Sequence, residues 1–145
     1  MATTTRTIDA PVEAVWATLA DPYLYADWVV GAKRIRRVEG SWPDPGAKFH
    51  HTVGVWPLRL RDNTTVLECE VGSRLVLEAR IRPVGVARVE IDLRGAGATT
   101  QVTMTEVPTA PRAARWSLPV IDPLTHRRNL QALRRLGGVV AAESR

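Results

Sequence analysis

Apolar and polar positions along the chain change period twice, and the changes divide it into three stretches. Thr3 to Ile8 is rich in β-branched residues and predicts a short strand. Asp9, Ala10 and Pro11 form a helix-start signal, with Asp9 as the cap and Pro11 in the first turn. Val12, Val15, Trp16 and Leu19 follow at i, i+3, i+4 and i+7, the apolar stripe of one helix. Asp21-Pro22 repeats the signal before a second short helix that carries Tyr25 and Trp28 on one side. From Lys33 the period becomes two. A strand is predicted to about Glu39, then others over 47–55, 58–70, 74–82, 86–94 and 99–107. Turn residues punctuate them at Trp56-Pro57, Gly72-Ser73, 83–85 and 95–97. Gly40 to Gly46, with Pro43, Pro45 and Trp42, reads as a loop, and Pro108 to Pro119 as a long connection. Asp122-Pro123 then opens a last helix to about Ala142. His126, Leu130, Leu133, Gly137 and Val140 form its apolar face, Leu136 lies beside that face, and Arg127, Arg128, Arg134 and Arg135 occupy the opposite side.

Short links between consecutive strands make them antiparallel neighbours, so 33–107 is a meander. A sheet with one apolar face must cover it, and the last helix carries the matching stripe. The expected class is α+β: a strongly curved antiparallel sheet of about seven strands wrapped around a long C-terminal helix, with two short helices after the first strand. The 145 residues suffice for one such domain, 1–145. A sheet gripping a helix in this way leaves room for an internal cavity, the usual form of a small-molecule site.

The order of elements and several local stretches resemble the helix-grip superfamily, which includes START, Bet v 1-like and bacterial polyketide cyclase/dehydratase-like proteins. RTIDAPVEAVWATLADPYLYADW is similar to its opening strand and first two helices, VGVWPLRLRD to its central hairpin, QVTMTEVP to its last strand and RRNLQALRRL to its final helix. The resemblance implies a helix-grip fold over the full chain. Its members include aromatase/cyclases, lipid carriers and hormone receptors and share no universal catalytic residues, so it implies no particular reaction.

Charge and composition narrow the partners. The chain has 20 Lys+Arg against 15 Asp+Glu, and only Lys33 and Lys48 are lysine. The arginines are spread over nearly every element instead of clustering with aromatics on one, so no nucleic-acid surface is expected. No apolar run approaches the roughly 18 residues of a membrane span. The threonine-rich start lacks the apolar core of a signal peptide. The single cysteine, Cys69, cannot form an internal disulfide and fits a reducing, cytoplasmic setting. No Gly-rich phosphate loop, GxSxG elbow or HExxH is present, and no cofactor is expected.

The candidate chemistry concentrates in the central hairpin. Phe49, His51 and Val53 alternate on one strand, and Leu60, Asp62 and Thr64 on its partner. A turn at Trp56-Pro57 places His51 opposite Asp62, close enough for a His–carboxylate hydrogen bond. Such a pair inside a cavity is a candidate acid–base catalyst, or else a satisfied polar pair at the sheet edge. His50 and His51 point to opposite faces and cannot chelate one ion, and no metal site is expected.

Other residues are candidates for contact with a guest. Glu106 shares the inward phase of Val102 and Met104 and needs a partner there, with Arg6 in phase to supply one. That pair reads either as a polar anchor or as a structural ion pair. His126 and Leu130 lie on the face of the last helix that would floor the cavity, and His126 could instead be a core histidine. Among the tryptophans, Trp16 belongs to the core of the first helix, Trp28 backs the cavity entrance, and Trp42 and Trp116 lie in loops that line it. The expected ligand-binding set is therefore Trp28, Trp42, Phe49, Val53, Leu60, Met104, Glu106, Trp116, His126 and Leu130. The expected partner is a small hydrophobic molecule, such as a lipid, an isoprenoid or an aromatic polyketide-like compound. A cyclase/dehydratase-type enzyme using His51 and Asp62 is one alternative, and a protein-interaction module presenting the Arg-rich helix face is another. The oligomeric state stays open, a homodimer being one option.

Overall fold

The β-branched opening, the two helix-start signals and the long run of alternating residues all become the elements their patterns predict. The computed structural model describes residues 2–29, 32–53, 60–81, 85–110 and 118–143. Strand β1 (Ala2–Ile8) leads into α1 (Val12–Leu19), a 3-10 turn (Pro22–Leu24) and α2 (Tyr25–Trp28). Strands β2 (Ala32–Glu39), β3 (Lys48–Val53), β4 (Leu60–Glu70), β5 (Arg74–Ile81), β6 (Gly85–Ala96) and β7 (Thr99–Ala110) follow, and α3 (Leu118–Glu143) closes the chain. The seven strands form one antiparallel sheet in the order β1-β7-β6-β5-β4-β3-β2. The first two strands in sequence are thus the two edges, and the helices between them bridge the open side. Register shifts in β2–β3, between Val66 and Glu68, and between Val86 and Ala87 mark bulges, which bend a sheet and raise its twist.

The inner face of this curved sheet carries Phe49, Val66, Leu75, Leu77, Ile91, Leu93, Val102 and Met104, all buried. Helix α3 lies against β1, α1 and α2. Where α1 crosses β6, a Cβ on Gly95 would come 3.2 Å from both Cβ and Cγ1 of Val12. The absence of a side chain at that point is what lets helix and strand approach.

Several boundaries differ from the sequence expectation. Pro11, not Asp9, is the N-cap of α1, and no side chain caps it. Asp21 does cap the second start, its Oδ1 accepting from the Tyr23 backbone N–H at 3.0 Å. Of the α1 stripe, Val15 and Leu19 are buried, whereas Val12 and Trp16 are half-buried and pack at its border. Strand β7 does not stop before Pro108 but continues to Ala110. Pro108 stands in register with Ala87, next to the bulge, and bulges and edges are where a strand tolerates proline. Helix α3 begins at Leu118, so Pro119 sits in its first turn and Pro123 lies inside it.

The buried face of α3 is also rotated. It consists of Asn129, Ala132, Leu133, Leu136 and Val140, while Leu130 and Gly137 are half-buried and His126 is exposed. The sheet and α2 press on the helix from two sides, so the contact stripe is wider than a single row and takes in the small Ala132 and the polar Asn129. The turn at Trp56-Pro57, Pro83 and Val84 of the 83–85 punctuation, and Trp116 lie outside the described residues, whereas Gly85 opens β6.

Candidate functional site

Rows of facing residues cross the inner sheet face. Met104, Ile91 and Leu75 form one row and are sealed from solvent. The next row runs Ala2, Glu106, Val89, Leu77, Val66. The one beyond it runs Pro108, Ala87, Ala79, Thr64, Phe49. Ala79, Ala87 and Val89 are only half-buried although they occupy the inner phase of their strands. The inner face is therefore shut near Leu75 and Met104 and less fully covered on β5 and β6 at Ala79, Ala87 and Val89, while Thr64 and Phe49 of the same row are fully buried.

Polar side chains gather beside that less covered part. The register places His51 opposite Asp62, as the spacing predicts; the side chains of Val53, Leu60 and Asp62 lie outside the described set. His51 is 3% exposed, and its Nε2 shares a hydrogen bond of 3.1 Å with Thr64 Oγ1. The Thr64 hydroxyl also lies near enough to the Tyr25 phenol, which reaches in from α2, to favour its ionised form. Burial pushes the Tyr25 phenol up to about 12; the Thr64 hydroxyl counters part of this, the Glu106 carboxyl adds to it, and Arg128 opposes it. The rings of Tyr25, Phe49 and Trp42 pack in sequence at tilted angles of 59° and 58°, with centroids 4.4 Å and 4.6 Å apart, and the Tyr25 ring meets that of Trp28 edge-on at 5.2 Å.

Glu106 stands within the influence of that phenol. Its partner is Arg128 of α3, whose Nη2 donates to Glu106 Oε2, and not the Arg6 that strand phase suggests. Arg128 also leaves the outer helix face to which the sequence assigned it, a direct result of the rotated stripe. The Glu106 side chain is 14% exposed and that of Arg128 40%. Burial raises the Glu106 carboxyl above its ordinary range, while Arg128 and Asn129 pull it partly back. Asn129 is buried, and its Nδ2 finds no acceptor at bonding distance among the described residues. The indole N–H of Trp28 is in the same position.

The predicted contact residues thus divide. His51, Phe49, Trp28 and Glu106 converge on Tyr25 and its neighbours, whereas Met104 belongs to the sealed row. Trp42 is half-buried, packing on Phe49 and donating Nε1–H to Leu19 O at 3.3 Å. His126 does not floor the interior: it is exposed, and its Nδ1 lies 2.8 Å from Thr4 Oγ1 at the β1 edge. His50 points outward to Glu39, with Nε2 and Oε2 3.1 Å apart. Among the described residues no group of three His, Cys, Asp or Glu side chains could hold a metal ion, and no helix is long and apolar enough to cross a membrane.

Tyr25, Thr64, Arg128 and Asn129 belong to this cluster and were not singled out from the sequence. Two signals were available. Tyr25 lies three residues from Trp28 on one helical side, and Thr64 shares the strand phase of Asp62. Arg128 and Asn129 emerge only when the α3 stripe is centred on Leu133 and Leu136.

Residues 1–140 match the family described as polyketide cyclase/dehydrase and lipid transport. No curated protein matches the chain. Among solved structures, the Zhui aromatase/cyclase of a Streptomyces species superposes with a TM-score of 0.75 at 18% identity, covering 99% of this chain and 94% of that one. A protein from Nitrosomonas europaea gives 0.72 at 18% identity, covering 98% and 94%. A protein from Thermus thermophilus gives 0.67 at 18% identity, covering 99% of both chains. At these identities the likeness is one of fold.

Proposed function

The chain belongs to the polyketide cyclase/dehydrase and lipid-transport family, and from that premise we propose that it binds a small hydrophobic molecule between the inner sheet face and α3. The guest's apolar body lies along Ala79, Ala87 and Val89, and its polar end meets Tyr25, Thr64, His51 and the Glu106–Arg128 pair. The observation that carries this reading is the uneven closure of the inner face. A sheet packed only for stability would cover the Ala79–Ala87 row as fully as it covers Leu75 and Ile91. Affinity would come from apolar area removed from water, at about 25 cal/mol per Å², with the polar groups setting orientation. A cytoplasmic setting, in which Cys69 stays reduced, goes with this reading.

A hydrophobic dye such as Nile red tests it. Dye binding with a blue-shifted emission is expected for the wild type. Ala87→Phe fills the half-open row and should abolish the signal while the far-UV circular dichroism stays unchanged. Equal binding by wild type and A87F, or none by the wild type, would sink the reading. Native mass spectrometry of gently purified protein supplies the natural occupant's mass.

The enclosed His51 favours one second reading, an enzyme of the cyclase/dehydratase type. A buried imidazole tied to a hydroxyl can move a proton during closure or water loss on a polyketone chain. Turnover of a poly-β-ketone thioester that disappears in His51→Ala would support it, and turnover unchanged by that substitution would remove it.

A further inference from the structure

Glu106 and Arg128 form an ion pair beside the less covered part of the inner face, and the two partners are unequally placed. The carboxylate is on a strand in the middle of a paired row, between Ala2 of β1 and Val89 of β6. The guanidinium is on a helix and 40% exposed, so it can turn away while the carboxylate stays. Among the described residues, the groups facing Glu106 are Arg128 and Asn129 from α3 and Tyr25 from α2; the strand neighbours Ala2 and Val89 bring no charge. Arg128 is thus the charge that favours ionised Glu106 against its burial. Next to it, the enclosed amide of Asn129 lies close enough to Glu106 to hold its carboxyl down, although its Nδ2 makes no bond of full geometry among the described residues. Two donors, Arg128 and Asn129, thus converge on one carboxylate, and the cationic one is the more open to solvent.

We infer that Arg128 is an exchangeable anchor for a carboxylate-bearing amphiphile: it leaves Glu106 for the guest's carboxylate, Asn129 donates to that carboxylate's second oxygen, and Glu106 takes up a proton in the exchange. The inference deepens the proposed binding function and rests on it. The charges balance. Before binding, one guanidinium faces one carboxylate; afterwards the guanidinium faces the guest's carboxylate, and the vacated carboxyl is neutral because one proton has come from solvent. Burial favours that neutral form once Arg128 has gone. A guest without an acid group has no such exchange to make and enters with the ion pair in place.

Isothermal titration with dodecanoate, methyl dodecanoate and dodecylamine separates the possibilities. The same titration at neutral pH in two buffers of different ionisation enthalpy reads the protons exchanged. Wild type should bind dodecanoate at least about tenfold more tightly than the methyl ester, as a charge-assisted pair implies. It should take up about one proton per dodecanoate and none with the ester. Glu106→Gln keeps the shape and frees Arg128, so it should bind dodecanoate more tightly still, with no proton uptake. Arg128→Gln should erase the preference of acid over ester, and Arg128→Lys should restore part of it. Equal affinity for acid and ester in the wild type, acid binding without proton uptake, or tighter binding of dodecylamine would overturn the exchange and leave the binding function standing. Failure of all three probes to bind would overturn both.

Discussion

The imidazole of His51 and the hydroxyl of Thr64 meet at 3.1 Å across two strands, on a diagonal. Thr64 stands opposite Phe49, and His51 stands opposite Asp62. The bond thus ties one cross-strand pair to the next, beside the phenol of Tyr25 on α2.

Removing the Thr64 hydroxyl should cost His51 this partner. Thr64→Val preserves shape but withdraws the hydroxyl from the enclosed His51 Nε2 and from beside the Tyr25 phenol. A loss of about 2–3 kcal/mol is expected from urea unfolding. Thr64→Ser keeps the hydroxyl and should lose under about 1 kcal/mol, chiefly for the deleted methyl. Equal costs for the two variants would mean that packing alone holds this position.

The buried phenol links stability to alkaline pH. Its acidity in the folded protein lies near about 12 against an ordinary 10.0, so the unfolded chain ionises first. The contribution is complete below pH 10 and is lost as pH rises toward about 12. Wild type should therefore lose stability over that interval by up to about 1.4 kcal/mol per pH unit relative to Tyr25→Phe. Denaturant melts of both proteins across this range check it; parallel profiles would contradict the burial of the ring hydroxyl.

The acid side carries the signature of Glu106. Its carboxyl is raised in the folded state, so its contribution is full below the ordinary value of 4.5 and is lost as pH rises through the elevated one. Subtracting the Glu106→Gln stability profile from that of wild type should give a curve that falls with rising pH. At neutral pH Arg128→Gln should cost about 1–2 kcal/mol, less than a fully buried pair would because the guanidinium is partly solvated. The double variant E106Q/R128Q should recover most of that loss, and additive costs would deny the coupling.

The rotation of α3 can be tested by truncation. Leu133 is fully enclosed, so Leu133→Ala should cost about 2–5 kcal/mol. Leu130, half-buried, should cost about 1 kcal/mol, and the exposed Arg134 should change stability by no more than about 0.5 kcal/mol when replaced by alanine. Thermal or urea unfolding of the three variants ranks them. Leu130→Ala costing as much as Leu133→Ala would restore the stripe that the sequence suggests.

Local chemistry made most of the architecture legible. Strand phase and turn residues are set by alternation and by backbone preferences that act over a few residues, and they placed the meander, the inward faces of Phe49, His51, Met104 and Glu106, the outward turn of His50 and the register of His51 with Asp62. The capping aspartate at Asp21 belongs to the same short-range class. What spacing alone did not decide was where an element meets a second one. The centre of the α3 stripe depends on its being pressed by a sheet and by α2 together, and that rotation decided that Arg128 rather than Arg6 reaches Glu106, that Asn129 is enclosed and that His126 faces water. The cluster of Tyr25, Thr64 and His51 likewise joins three elements that no sequence period connects. Periodicity reports which side of one element is apolar; only the packing of several elements determines which polar groups are taken from water together, and that shared desolvation sets the chemistry of this interior.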